Sequence, residues 1–140
     1  MAVAALALAT ALGLLYRARN GSMRPARPAA GPAGAVPAGS GLTTADLGAP
    51  LGARATLVQF STAFCAPCRA TRRVLADVAA MTDGIAHVEI DAESHLDLVR
   101  RLDVRRTPTV LVLGPDGRIA RRASGQPRKA DVIAALGEVT

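Results

Sequence analysis

The chain has 140 residues, which is room for one domain and short extensions. It carries a net charge of +6, but it has only one tyrosine, two phenylalanines and no tryptophan. Because no aromatic stacking platform and no recognition motif accompany the arginines, the composition argues against a nucleic-acid partner. It favours a basic surface near lipid headgroups.

Residues 1–16 form an apolar segment without a charged side chain, and Arg17 and Arg19 follow it. Fifteen residues of helix span about 22 Å, short of the ~30 Å hydrocarbon core. Snorkelling arginines and local bilayer thinning would cover the difference. We predict a single-pass anchor in the cell membrane. Since the flanking positive charge lies C-terminal to it, the positive-inside rule favours a cytoplasmic domain. An extracytoplasmic domain, a cleaved signal peptide and a helix packed on its own domain are the alternatives.

Residues 17–41 are predicted to form a linker that is basic at first and then rich in Ala, Pro and Gly. From Arg24 to Gly41 the only large apolar side chain is Val36, so this stretch cannot bury enough surface to fold. As a random coil of about 18 residues it would reach roughly 25 Å. The folded domain is therefore predicted to occupy residues 42–140.

The pattern of apolar residues over 42–140 predicts an α/β domain. Strands appear as short apolar runs, and helices carry apolar residues at three- and four-residue spacing. A strand-helix-strand unit implies parallel pairing, and a tight turn at residues 114–117 implies an antiparallel pair, so we predict a mixed sheet of about four strands flanked by helices. The predicted elements are strands at 55–60, 85–91, 109–113 and 118–123, and helices at 69–81, 94–102 and 127–136.

The only two cysteines, Cys65 and Cys68, lie between the first predicted strand and the helix that follows it. In that setting a Cys-x-x-Cys pair indicates redox chemistry rather than metal binding. A structural zinc site needs four ligands, and the remaining candidates, His87 and His95, do not have finger-like spacing. We expect neither a metal nor a cofactor.

Cys65 is predicted to be the nucleophile of this pair. At a helix N-terminus, unpaired N–H groups and the macrodipole favour the thiolate, which lowers the pKa of the thiol below its free value of about 8.5. Cys65 would attack a disulfide to form a mixed disulfide, and Cys68, one helical turn further on, would then release the product. Pro67 would stiffen the turn without the loss of a needed N–H.

The segment from Phe60 to Arg69 resembles the active-site segment of the thioredoxin fold, which usually ends in W-C-G-P-C-K or W-C-P-P-C-R. Residues 105–109 resemble the segment that holds the family's cis-proline, and Asp116-Gly117 and Gly125 match a later turn and a later glycine. With its apolar N-terminus the chain is similar to membrane-tethered, TlpA-like thiol-disulfide oxidoreductases of bacteria. The fold that this resemblance implies is the thioredoxin-like fold.

The resemblance implies a protein-disulfide reductase that takes electrons from an upstream dithiol donor and passes them to protein disulfides. We expect the protein to act as a monomer. Two alternatives are a redox-sensing or client-binding module with little general turnover, and an extracytoplasmic thiol oxidase. The direction of electron flow depends on the compartment and on the reduction potential.

The resemblance also implies how the site is supported. The peptide bond before Pro108 would be cis and packed against the disulfide, which leaves the backbone of Thr107 free to pair with an extended substrate. Phe64 and Ser61 replace the tryptophans that the family carries near the site. Contact with the substrate would therefore fall to Phe64, Ala66 and the loop at Thr107.

Gln59 is a departure from the family pattern. It occupies the position of a buried acid that often accepts the proton of the second cysteine, and an amide cannot take a proton. His87 matches the lysine that neighbours this acid. Our hypothesis is that His87 handles the Cys68 proton instead. The simpler alternative is a histidine that only packs in its strand.

Overall fold

The computed structural model describes residues 2–26 and 41–140. Within these ranges the strands form a single sheet. The helices and strands follow in the order α1 (Ala2–Arg19), β1 (Arg24–Pro25), α2 (Thr44–Leu47), β2 (Ala55–Ser61), α3 (Ala66–Met81), β3 (Ile85–Asp91), α4 (Leu96–Arg101), β4 (Thr109–Leu113), β5 (Ile119–Ser124) and α5 (Lys129–Gly137).

The sheet has the strand order β1-β5-β4-β2-β3. β2 and β3 run parallel, whereas the pairs β2–β4, β4–β5 and β1–β5 are antiparallel. The prediction of an α/β fold with a mixed sheet flanked by helices is confirmed. The sheet has five strands where about four were predicted, because the short edge strand β1 adds one. Two residues are too few to show the alternation that identifies a strand, and Pro25 is tolerated because β1 lies at the sheet edge.

Side chains alternate across β2 and divide the core into two apolar clusters. Val58 and Phe60 point into a cluster that includes Leu98 of α4. Leu57 points the other way and packs with Leu75 of α3 and Val132 of α5. Every residue of β2 and β4 is buried, as expected for central strands covered on both faces. The end of β2, where the cysteines follow, is therefore held by packed core on both sides.

The N-terminal helix is longer than predicted. α1 continues to Arg19 instead of ending at residue 16, since arginine favours a helix about as well as leucine does. All of its side chains are exposed. Its 18 residues have a mean hydropathy of 1.4, which fits a membrane anchor or a signal sequence by length and composition.

Part of the predicted linker over 17–41 is structured, since Arg17 to Arg19 belong to α1 and Arg24 and Pro25 form β1. Arg24 and Pro25 pair with Arg122 and Arg121 of β5, so the expectation that the chain is unstructured from Arg24 onward is wrong for these two residues. Main-chain hydrogen bonds to an open sheet edge need no apolar side chains, which is why composition did not indicate them. Residues 27–40 of the predicted linker lie outside the described part of the chain.

Candidate redox site

Cys65 and Cys68 form a disulfide at the start of α3. Cys65 is the N-cap residue of α3, and its Sγ accepts a hydrogen bond of 3.2 Å from the Cys68 N–H. Helix α3 begins at Ala66, three residues before the predicted start, so the second cysteine lies inside the first turn. Cys65 is half-buried, whereas Cys68 has a relative exposure of only 1%. The sulfur of an incoming molecule can therefore reach Cys65 but not Cys68.

The loop before β4 lies beside the disulfide segment. The Thr107–Pro108 peptide bond is cis, as the resemblance implied. The Thr107 Oγ1 lies 3.1 Å from the Thr62 Oγ1, which joins this loop to the segment that leads into Cys65. The Gly125 N–H donates to the Pro108 carbonyl at 2.7 Å, so the end of β5 supports the loop from its other side.

The surface around Cys65 is open and partly apolar. Phe64 has a relative exposure of 101%, and Ala66 and Pro67 are exposed as well. A fully exposed phenylalanine makes no use of its apolar area within the chain, so that area is available to a partner. Among the described residues, no group of three or more His, Cys, Asp or Glu side chains lies close enough to hold a metal ion.

Gln59 lies directly beneath the second cysteine. Its side chain is fully buried, and its Nε2 donates to the Cys68 carbonyl at 2.8 Å and to the Ser61 Oγ at 2.9 Å. The Oε1 is buried without a hydrogen-bond partner among the described residues. An amide holds the first turn of α3 against β2, but it has no proton to exchange near neutral pH.

Comparisons with known proteins agree with this geometry. The family model described as Thioredoxin matches residues 48–138. The chain belongs to the thioredoxin family. A search of curated proteins found no match.

Solved thioredoxins share the fold at low sequence identity. A mutant thioredoxin from Halobacterium salinarum is 23% identical with a TM-score of 0.57, over 62% of this chain and 75% of that one. Chloroplastic thioredoxin z is 26% identical with a TM-score of 0.56, over 62% of this chain and 79% of that one. The thioredoxin pre-protein of Schistosoma mansoni is 17% identical with a TM-score of 0.55, over 62% and 80% of the two chains.

His87 is half-buried in β3 of this thioredoxin. Burial lowers the pKa of His87, because the charged imidazolium would lose contact with water, so the ring is neutral at neutral pH. Its Nε2 is buried and has no hydrogen-bond partner among the described residues. The structure gives no contact that carries a proton from Cys68 to His87, and the relay stays a hypothesis.

A polar pair that the sequence analysis missed lies beside Gln59. Arg72 of α3 binds both carboxylate oxygens of Glu89 in β3, at 2.6 Å and 2.8 Å. This pairing with Arg72 is the main reason why the pKa of Glu89 lies below its usual range, and a hydrogen bond with Ser61 adds to it. Glu89 also lies opposite Gln59 in the β2–β3 register. The partners belong to different elements, so no local pattern could have indicated the pair.

We expect the Glu89→Gln substitution to reduce the acid sensitivity of folding. Because the folded-state pKa of Glu89 is lowered, its contribution to stability is fully present above the unfolded value of about 4.5 and is lost as the pH falls through the folded value. The pair is partly exposed, so the effect should not exceed about 1 kcal/mol. Urea unfolding between pH 7 and pH 3 measures it, with Glu93→Gln in an exposed turn as the matched control. Equal pH slopes for the two variants would contradict the prediction.

Proposed function

We propose that this thioredoxin is a membrane-anchored protein-disulfide reductase. The observation that carries the proposal is the pair at the start of α3, an accessible Cys65 bonded to a buried Cys68 beside the cis Thr107–Pro108 loop. Reduction by a dithiol pair uses one sulfur that a substrate can reach and a second sulfur that is close enough to attack the resulting mixed disulfide. Cys65 is accessible to a substrate, whereas the buried Cys68 is bonded to Cys65.

The exchange proceeds in two steps that balance. In the reduced protein the Cys65 thiolate attacks one sulfur of a substrate disulfide, which forms a mixed disulfide and releases the other substrate sulfur as a thiolate. The Cys68 thiolate then attacks the Cys65 Sγ, which re-forms the intrachain disulfide and releases the second substrate sulfur as a thiolate, which takes a proton from water. Two electrons pass to the substrate. An upstream dithiol donor returns two electrons to the protein.

The surroundings of the pair support this chemistry. The N-terminus of α3 directs backbone N–H groups at Cys65, and such groups favour the thiolate over the thiol. Gln59 holds the Cys68 carbonyl, so the turn keeps its shape when the disulfide opens. The exposed ring of Phe64, with Ala66 and Pro67, offers apolar contact to a polypeptide substrate, and the Thr107 backbone offers it strand-like pairing.

Helix α1 supports a single-pass anchor in the cell membrane, with residues 42–140 as the redox domain. The arginines that follow the apolar residues favour a domain on the cytoplasmic side, where the environment is reducing. The domain acts as a monomer in this proposal. A domain on the opposite side would instead act as a thiol oxidase.

The reduction potential of the Cys65–Cys68 pair tests the direction of electron flow. We would equilibrate the full chain in lipid nanodiscs against a glutathione or dithiothreitol series and quantify free thiols. A value near about −270 mV, in the range of reductases, supports the proposal. A value near about −120 mV, in the range of strong oxidants, overturns it in favour of the oxidase.

A client-binding module is the second candidate, and the full exposure of Phe64 favours it. Such a module would dock one partner and turn over slowly. Rapid reduction of insulin disulfides with a dithiol donor supports the reductase. Slow insulin reduction together with capture of a single partner by the Cys68→Ser variant supports the module.

A further inference from the structure

The segment after α1 is docked on the redox domain without a free stretch between them. The Gly21 N–H donates to the Ser124 carbonyl at 2.8 Å, and the Ala26 N–H donates to the Ala120 carbonyl at 3.2 Å. Between these two bonds, β1 pairs with β5, and Met23 packs against the apolar cluster under α5. We call residues 20–26 the docking segment.

Gly21 is required where the docking segment begins. Its φ is +73°, a left-handed conformation that side chains rarely adopt, and a Cβ at this position would overlap the carbonyl group of Gln126. The backbone therefore approaches the start of the loop before α5 more closely than any other residue type would allow. A close approach of this kind fixes where α1 leaves the domain.

The place where α1 joins the domain is next to the cis-proline loop. The Arg106 guanidinium donates to the Asn20 Oδ1, and both groups lie against Gly125, whose N–H donates to the Pro108 carbonyl at 2.7 Å. Thr107, between Arg106 and Pro108, contacts Thr62 at 3.1 Å. Continuous contacts thus lead from the end of α1 to the segment that carries Cys65.

The side chains of helix α1 do not pack on the surface of the redox domain. All of its side chains are exposed, and the Asn20 N–H donates to the Tyr16 carbonyl at 2.9 Å, so the helical backbone bonding continues to the docking segment. At about 1.5 Å per residue, the apolar part of the helix ends roughly 6 Å from Asn20. A bilayer that surrounds α1 would therefore have its headgroup layer at the level of Asn20 and the cis-proline loop.

The charges around this junction fit the headgroup layer. Arg17 and Arg19 form the last turn of α1, Arg24 lies in β1, and Arg106 lies in the cis-proline loop. Among the residues that the structure describes, the side chains that accept hydrogen bonds from Arg24 and Arg106 are neutral, Ser22 and Asn20 respectively. Basic residues at this depth attract anionic lipid.

We propose that α1 and the docking segment hold the redox disulfide at the lipid headgroup layer, so that its substrates are disulfides of membrane proteins exposed at that layer. The substrate assignment rests on the proposed function, whereas the placement does not. A free tether over 17–41 would have allowed the domain to move roughly 25 Å from the surface. The docked segment replaces that freedom with one fixed depth.

Two insertions separate the fixed placement from a free tether. A flexible Gly/Ser segment of about 15 residues goes between Arg19 and Asn20, where it detaches the anchor from the docking segment and adds roughly 20 Å of reach. The matched control carries the same insertion between Val36 and Pro37, beyond the docking segment. If 17–41 acts as one tether, both insertions lengthen it equally. If the docking segment sets the depth of the redox site, only the insertion between Arg19 and Asn20 moves that site away from the membrane.

The depth is read without any redox turnover. The chain has no tryptophan, so Phe64→Trp introduces a single tryptophan beside Cys65, which can be excited apart from Tyr16. In proteoliposomes of the full chain with anionic lipid, we expect a headgroup-linked nitroxide to quench this tryptophan. Quenching should persist in the variant with the insertion between Val36 and Pro37 (the 36/37 insertion). It should disappear in the variant with the insertion between Arg19 and Asn20 (the 19/20 insertion). Absent quenching in the parent, or equal quenching in both insertions, would overturn the placement.

The substrate assignment is read on the same vesicles, with Phe64 intact. The probes are a disulfide attached to a lipid headgroup and soluble glutathione disulfide, with a dithiol donor. We expect the 19/20 insertion to lower the rate on the lipid probe roughly tenfold, as effective concentration falls, and to leave the soluble rate unchanged. The 36/37 insertion should change neither rate. Equal rate losses on the lipid probe and on glutathione disulfide would overturn the substrate assignment. If the parent protein reduces neither probe but its tryptophan variant is still quenched, the proposed reductase function is refuted and the placement at the headgroup layer is supported.

Discussion

Reduction of protein disulfides is expected to fall to the uncatalysed background when Cys65 is replaced by serine, and no mixed disulfide should form. The reason is that Cys68 is 1% exposed and cannot meet a substrate sulfur by itself. The Cys68→Ser variant should also lose turnover, but it keeps the accessible nucleophile. It should therefore accumulate a mixed disulfide with the substrate, because the second attack is missing.

The measurement is the rate of insulin reduction with a dithiol donor, together with intact-mass analysis of trapped species. The two variants serve as matched controls, since each removes one sulfur from the same turn. Capture of substrate by the Cys65→Ser variant at the rate of Cys68→Ser would show that Cys68 is accessible. That outcome would contradict the assignment of the nucleophile.

The Phe60→Ala substitution is expected to lower the free energy of unfolding by about 3–5 kcal/mol. Phe60 is fully buried in the middle of the sheet and packs in the cluster with Leu98 and Leu111. Its removal loses apolar burial and leaves a cavity that the surrounding strands cannot close. A loss of this size is a large fraction of the stability of a small domain, which is about 5–15 kcal/mol.

The chain supplies its own control for this loss. Phe64→Ala removes the same atoms from a side chain that is fully exposed, so the free energy of unfolding should change by less than about 0.5 kcal/mol. Urea unfolding of the two variants under oxidising conditions measures the difference. A comparable destabilisation by both substitutions would mean that Phe64 is packed in solution. Reduction of insulin by Phe64→Ala then reports separately on its contact with substrate.

Most of the fold could be predicted from local patterns. The apolar run at Leu57–Phe60 predicts β2, and the helical spacing of Leu75 and Val78 predicts α3. Both patterns involve only residues that are close in the sequence. Helix α2 was missed because four residues are too few for a period, although Thr43 and Asp46 form a capping box at its start. Strand β1 was missed for the same reason. Short elements carry little periodic information.

The candidate site also has a part that the sequence could predict and a part that depends on tertiary packing. Cys65, Cys68 and Pro67 lie together because they are neighbours in the sequence, and the resemblance indicated Thr107 and Pro108 across the sheet. The hydrogen bond from Gln59 to the Cys68 carbonyl and the pairing of Arg72 with Glu89 depend on how β2, β3 and α3 pack. Residue identity alone indicated only that Gln59 is not an acid. What an amide binds there depends on packing.

Local sequence is enough to indicate the chemistry of this thioredoxin, since a Cys-x-x-Cys pair after an apolar strand lies within a few neighbouring residues. The apolar N-terminus is equally visible in the residue order. The docking of Gly21 and Arg24 on β5, and the position of the end of α1 beside Gly125 and the cis-proline loop, arise only when the chain folds. Most of those contacts are main-chain hydrogen bonds between segments about a hundred residues apart, and backbone groups are nearly the same in every residue. The depth that we propose for the redox site therefore depends on bonds that no side-chain pattern records.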